Sequence, residues 1–237
     1  MSVHGRLLFE PRETKLALPI GRAGSVHRSE LVERLASASE SVIVLEAPAG
    51  YGKTTALGQW AESDPRPFAW VTLDPRDDDA ITLLVHLAIA LDRIEPVDAT
   101  LIAALQTESA SIWPLATRLG AELACRSEPL VIVLDDVHRI GSRDSLDTIA
   151  ALLADAPLGA TLALSGRAMP ALGLPRLRAQ GRLLEIGVED LRLDEVDAVH
   201  VLRQAGVELP ADELAKLMQA TEGWPVGVYL AAQALRA

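Results

Sequence analysis

The residues best suited to do chemistry are Gly52-Lys53-Thr54, which close a turn that runs from Ala47 through Pro48, Ala49, Gly50 and Tyr51. A lysine and a hydroxyl after a glycine-bearing turn suit a polyphosphate. The N–H groups of such a turn and of the helix behind it attract an anion, and Gly50 and Gly52 let the backbone approach it without a Cβ. Lys53 then bridges β- and γ-phosphates, Thr54 offers its hydroxyl to Mg²⁺, and Thr55 continues the contact into the helix. The strict pattern has glycine where this chain has Ala47, so an ordinary strand-to-helix turn stays open on this segment alone.

A second group is Asp135-Asp136, two carboxylates at the end of the apolar run Leu130 to Leu134. Here Asp135 would hold Mg²⁺ through water and Asp136 would polarise the water that attacks a γ-phosphate. Adjacent acids alone are more often a solvated turn; the phosphate loop tips the balance. Arg167 follows the run Thr161 to Leu164 by three residues, where it either senses a γ-phosphate or is a surface arginine. His138 reads as packed against the sheet edge, and Asp77, Asp78 and Asp79 as a solvated loop.

These groups need a scaffold. Val42 to Leu45, Phe68 to Leu73, Leu130 to Leu134, Thr161 to Leu164 and Leu183 to Ile186 read as five short buried strands. Helical patterns lie between or beside them, from Ser29, from Lys53, over Ile81 to Ile94, Ile112 to Arg126 and Arg143 to Ala154. That alternation predicts an α/β fold with a parallel sheet covered on both faces. From Asp194, a helix N-cap by type, the pattern is helical only, over Ala211 to Thr221 and Val226 to Ala237. The expected organisation is an N-terminal arm over 1–20, a core over 21–190 and a helical lid over 191–237. The last helix reaches the final residue without a cap, as in a piece of a longer chain. Trp60, Trp70 and Trp113 read as core, whereas Trp224 sits in Glu222-Gly-Trp-Pro225, a rigid turn between helices.

With 237 residues, 49% of them hydrophobic, the chain can bury a sizeable core. Its net charge of −11 opposes nonspecific attraction to nucleic acid or anionic lipid, so neither is expected to bind this region directly. One cysteine, Cys125, excludes an internal disulfide and reads as a small buried hydrophobe on a helix. The first residues lack a signal-peptide pattern, and no apolar run has membrane-spanning length. A cytoplasmic protein is expected. There is no internal repeat.

Taken together, Ala47-Pro-Ala-Gly-Tyr-Gly-Lys-Thr-Thr55 with Gln59-Trp60, Trp70 to Asp74, Leu134 to His138, Arg176 to Ala179 with Leu184-Glu185, Asp190 to Arg192, and Glu222 to Pro225 carry a resemblance. The chain resembles the nucleotide-binding module of STAND-class P-loop ATPases, in particular MalT-type regulators with LuxR-like DNA-binding ends. In that family Ala47 is usual. The resemblance implies sheet order 5-1-4-3-2, Arg167 as phosphate sensor, Val26, His27 and Arg28 near the adenine, and Pro225 touching the base from the lid. It implies an ADP-bound closed form, an ATP-bound form that self-associates, slow hydrolysis with Mg²⁺, and an inducer and DNA engaged through domains absent from this chain. The sensor departs from the usual Ser/Thr-Ser-Arg: Ser165-Gly166-Arg167 lacks the middle hydroxyl. Two other readings share the loop, a small-molecule P-loop kinase and a module that holds ADP without turnover.

Overall fold

The computed structural model describes residues 12–21, 25–105, 111–126, 128–157 and 159–236. In chain order the elements are α1 (Ser29–Ala36), β1 (Val42–Glu46), α2 (Lys53–Ser63), β2 (Phe68–Thr72), α3 (Ala80–Asp92), α4 (Ala99–Leu105), α5 (Ile112–Ala124), β3 (Leu130–Asp135), α6 (Arg143–Ala154), β4 (Ala160–Gly166), α7 (Leu174–Ala179), β5 (Leu183–Ile186), α8 (Val188–Leu191), α9 (Glu195–Gln204), α10 (Ala211–Thr221) and α11 (Pro225–Arg236).

The five strands form one parallel sheet in the order β2-β3-β4-β1-β5, which is the expected 5-1-4-3-2 read from the other edge. Strands β3 and β4 are buried along their whole length, so each reads as a continuous apolar run rather than an alternating one. The two faces are still separable by period two. Val42, Val44, Ile132 and Leu164 pack beneath α3, α5 and α6, while Ile43, Leu45, Val133 and Ala163 pack against α1 and α2. A third apolar cluster, Leu193, Ala198, Val201, Leu202, Leu214 and Val228 among it, belongs to the bundle α9–α11. Val26 packs against that cluster rather than against the sheet. Asp194 caps α9 by accepting from the N–H of Asp197, as its residue type predicts.

Register decides where the chemistry sits. Glu46 lies beside Gly166, and Leu134 beside Leu164, so β1, β3 and β4 end in one row. In an open parallel sheet the crevice beyond such a row is the binding edge.

Several expectations need correction. Trp113 is 57% exposed in the first turn of α5, and Cys125 is an exposed C-cap. Helix α4 was not foreseen, although Asp98 accepts from Thr100 N and Leu101 and Leu105 share a face. Within the arm, Lys15 and Leu16 are buried; residues 1–11, and Ala237 at the other end, lie outside the described residues.

The acidic run is the largest correction. Asp77 is fully buried, accepts from Lys15 Nζ and from Asp74 N, and stands 2.6 Å from His86 Nδ1. Asp78 accepts from Gly141 N at 2.7 Å and Ser142 N at 2.6 Å, and Asp79 caps α3. The three carboxylates tie the exit of β2 to the N-terminal segment, α3 and the start of α6, and none faces the crevice. Of the three only Asp77 is buried, against the expected solvated loop, while Asp78 is half-buried and Asp79 exposed; Lys15 and His86 make the burial of Asp77 possible.

Asp77→Ala removes the carboxylate that faces buried Lys15 and His86, and should cost about 3–5 kcal/mol in urea unfolding. Burial acts to raise the Asp77 pKa, but hydrogen bonds from His86 and Lys15 hold it below the usual value. A depressed carboxyl contributes stability that is present above its unfolded pKa, about 3.9, and is lost as pH falls through the lower folded value. The acid limb of stability below about pH 4 should therefore be shallower in the variant.

Candidate nucleotide-binding site

The turn between β1 and α2 is built to meet an anion. Gly50 and Gly52 have φ of 81° and 79°, a region that side chains with a Cβ rarely enter. Gly52 is the N-cap of α2, and no side chain caps the helix. Among the described residues, the N–H groups from Gly50 to Thr55 have no hydrogen-bond partner. A Cβ on Gly52 would meet nothing within 4 Å, so open space lies where a ligand atom would stand. A helix N-terminus left in this state is an anion site.

Lys53 is only 8% exposed, and its Nζ donates to the carbonyls of Ala47 at 2.6 Å and Pro48 at 3.0 Å. Burial lowers its pKa, while Asp136 and Asp135 act in the opposite direction. Thr54 Oγ1 donates to Asp135 Oδ2 at 2.8 Å, Ser165 Oγ donates to Asp135 Oδ1, and Asp136 N approaches the same oxygen at 3.1 Å. Burial pushes the Asp135 carboxyl up, against the hydrogen bonds from Ser165 and Thr54. A hydroxyl and a carboxylate oxygen in contact are the hard donors that Mg²⁺ takes, so Thr54 and Asp135 fit that ion.

Asp136 occupies the left-handed region, φ 64° and ψ 36°, which turns the chain sharply after β3. Its carboxylate lies 3.4 Å from Arg139 Nε and 3.7 Å from His138 Nδ1. Burial lowers the His138 pKa, the effect of Asp136 opposing it, and His138 Nδ1 has no hydrogen-bond partner. Asp136 and Arg167 both line one cavity of about 620 Å³ with the residues from Ala49 to Thr55. That volume is within the range of small-molecule and cofactor sites. Gly166 has a local reason: a Cβ there would stand 3.0 Å from Met169 Cε and 3.2 Å from the Ala168 carbonyl.

The AAA ATPase domain family matches residues 24–164, more than half of the chain and all of the elements just described up to β4. The chain belongs to the AAA ATPase domain family. Over 227 residues, 94% of the chain, it is 29% identical to the HTH-type transcriptional regulator MalT of Yersinia pestis (strain Pestoides F) and equally to that of Klebsiella pneumoniae subsp. pneumoniae. It spans about a quarter of the length of these curated relatives, 25%. Among solved structures, the Walker-type ATPase of Pyrococcus abyssi superposes with TM-score 0.56 at 15% identity, covering 86% of this chain and 66% of that one. The Orc1 protein of Aeropyrum pernix, solved in complex with DNA, gives 0.54 at 14%, covering 88% and 59%. At these identities the structures attest the fold alone.

For this AAA ATPase domain the far end of the cavity is less legible in sequence. Val26 and Arg28 line it, whereas His27 is exposed and is not among its walls. Pro225 lines it with Val226 and Tyr229 from α11, the latter two not foreseen. Gln59, quoted above without a role, holds the 26–28 segment from both sides: its Nε2 donates to the Val26 carbonyl at 2.7 Å and its Oε1 accepts from Arg28 N at 3.0 Å. The Arg28 guanidinium is committed elsewhere. It donates to the carbonyls of Asp190, Leu191 and Arg192, and its Nε lies 3.5 Å from Asp197 of α9. Arg28 thus clamps the connection between sheet and bundle at one wall of the cavity. A planar, multiply donating fork can span three carbonyls; an ammonium cannot. No signal local to Arg28 announces this, because its acceptors are more than 160 residues away.

Arg28→Ala should lower stability by roughly 2 kcal/mol through the unpaired carbonyls, and Arg28→Lys should recover little of it. The specific reading is limited proteolysis: cleavage between Asp190 and Asp194 should accelerate in both variants relative to cleavage in the sheet.

Proposed function

We propose that this chain is the nucleotide-operated switch of a transcriptional regulator, with ADP holding the helical bundle against the ATPase core and ATP favouring an open, self-associating form. The observation that carries this reading is the shared cavity: the phosphate loop supplies one wall, and Val26, Arg28, Pro225 and Tyr229 join it to the bundle. A nucleotide there has different contacts in closed and open arrangements, and only such a difference lets a ligand shift the balance.

In this reading the chain's residues act by position. The uncapped α2 terminus and the N–H groups of Gly50 to Thr55 cradle the phosphates. Lys53, freed from the Ala47 and Pro48 carbonyls, and Arg167 at the end of β4 offset the charge of the γ-phosphate. Asp136 accepts a proton of the attacking water and orients it towards phosphorus, and the left-handed turn at Asp136 aims the carboxylate into the cavity. Thr54 and Asp135 would hold Mg²⁺, which supplies charge neutralisation between the β- and γ-phosphates. The adenine lies by the Val26 to Arg28 segment and Pro225. The slow rate is part of the reading: a switch that resets faster than it signals would be useless, so turnover should lie well below the roughly 10 per second typical of enzymes.

The relatives named as HTH-type transcriptional regulators support an output on DNA through regions beyond the quarter they share with this chain, and the reading adds an inducer input through such regions. The net charge of −11 makes this region itself a poor nucleic-acid binder, and no described helix is long and apolar enough to cross a membrane.

Denaturing the purified protein and identifying released nucleotide by chromatography and mass should yield stoichiometric ADP. Lys53→Ala should abolish binding. Asp136→Asn should keep ATP affinity within about three-fold while lowering hydrolysis by at least about 100-fold, the usual contribution of a positioned base. Hydrolysis unchanged in Asp136→Asn would remove Asp136 from its assigned role, and transfer of the γ-phosphate to a small molecule would favour the kinase reading.

A further inference from the structure

Two hydrogen bonds cross from the helical bundle to the phosphate loop itself. Trp224 Nε1 donates to the Ala49 carbonyl at 3.0 Å, and Val226 N donates to the Gly50 carbonyl at 3.2 Å. In a planar trans peptide the C=O of one residue and the N–H of the next point in opposite directions. No described peptide bond is cis. Drawing the carbonyls of Ala49 and Gly50 towards the bundle therefore aims the N–H groups of Gly50 and Tyr51 away from it. Both are among the unpartnered donors of the loop.

Packing makes this arrangement specific. A Cβ on Gly50 would stand 2.8 Å from Trp224 Nε1 and 2.9 Å from Val226 Cγ2, so glycine here serves the approach of the bundle as much as the φ of 81°. On its other side the indole is wedged by Gly227, where a Cβ would lie 2.8 Å from Trp224 Cε3. The turn that presents Trp224 is in turn fixed to the connection before α9. Gly223, at φ 71°, has its carbonyl bonded to Leu193 N at 2.9 Å, and a Cβ there would stand 2.6 Å from the Leu193 carbonyl.

We propose that Trp224 is a positioning residue for phosphate binding, which presets two N–H donors of the loop by holding their peptide planes from the bundle side. The docking of α11 and the affinity for a diphosphate are then one linked equilibrium. A nucleotide that orders the loop offers the bundle its two acceptors, and a bundle that departs leaves those peptides free to turn. Coupling of this kind is reciprocal, so a signal that pulls α11 away lowers diphosphate affinity by the same factor that diphosphate resists the pull. The inference rests on the nucleotide-switch reading and adds the element that transmits it.

Trp224→Phe keeps a ring between Gly50 and Gly227 and deletes the N–H. The full chain, freed of bound nucleotide and checked for folding by its melting temperature, is titrated with ADP, inorganic pyrophosphate and adenosine. ADP and pyrophosphate should weaken together by roughly three- to ten-fold, the range for one neutral hydrogen bond, with adenosine within about two-fold. Trp224→Leu, which also loses the ring, should weaken the two phosphate ligands at least as much. Equal ADP and pyrophosphate affinity in wild type and Trp224→Phe overturns the inference. Adenosine weakened in parallel with ADP also overturns it, since that pattern means a generally loosened bundle. A wild-type protein that binds neither ADP nor pyrophosphate instead overturns the nucleotide reading on which the inference stands.

Discussion

An α-helix that starts without a cap at the edge of a buried sheet leaves N–H groups which water or an anion must satisfy, and the rest of this structure is arranged around that demand at α2. Strand β1 delivers the chain to the sheet edge, two left-handed glycines turn it, and the helix dipole points back at the crevice. A Ser or Asp N-cap in the usual extended conformation would satisfy the helix internally, but the left-handed backbone at position 52 favours glycine. Glycine there leaves the site open, at a cost in helix stability of only a few tenths of a kcal/mol.

Beneath the loop, Asp135 joins the layers. It is nearly inaccessible to solvent, and an unpaired buried carboxylate would be prohibitive. It is tolerated because α2 sends Thr54, β4 sends Ser165 and its own strand end sends a backbone N–H. The parallel register of β1, β3 and β4 makes this possible, since it ends three strands in one row. The same crowding explains Gly166: with Met169 and the Ala168 carbonyl already close, a side chain between Ser165 and Arg167 would need the neighbourhood to yield.

Two of the contacts that join the bundle to the core use backbone atoms. Arg28 holds the carbonyls at the end of α8 while Gln59 holds the backbone on either side of His27, and at the opposite end Trp224 and Val226 hold the loop. Backbone acceptors are fixed by the fold rather than by side-chain identity, so both contacts report the position of one body relative to the other. This distinguishes the core, whose stability lies in apolar burial, from its contact with the bundle, where a few directional bonds act beside the packing of Val26. Such an interface is easily shifted by a ligand worth a few kcal/mol.

The sequence by itself determined the parallel α/β class, five strands, most helices and the residues of the phosphate loop, because these are local. A buried parallel strand needs a run of apolar residues, a helix needs a 3.6-residue period, and an anion cradle needs glycine, lysine and threonine in immediate succession. It also placed Asp135 and Asp136 at a strand end, where adjacency carries the meaning. Tertiary structure alone decided the rest. Trp113 has an apolar type but no partner layer and stays exposed, while Asp77 has a solvated type but meets Lys15 and His86 and is buried. Arg28 lines the cavity, and its guanidinium is held there by carbonyls more than 160 residues away. Burial of charge, the roles of Gln59 and Trp224, and the reason for Gly50 all depend on which distant backbone arrives opposite, and that is information no local spacing holds.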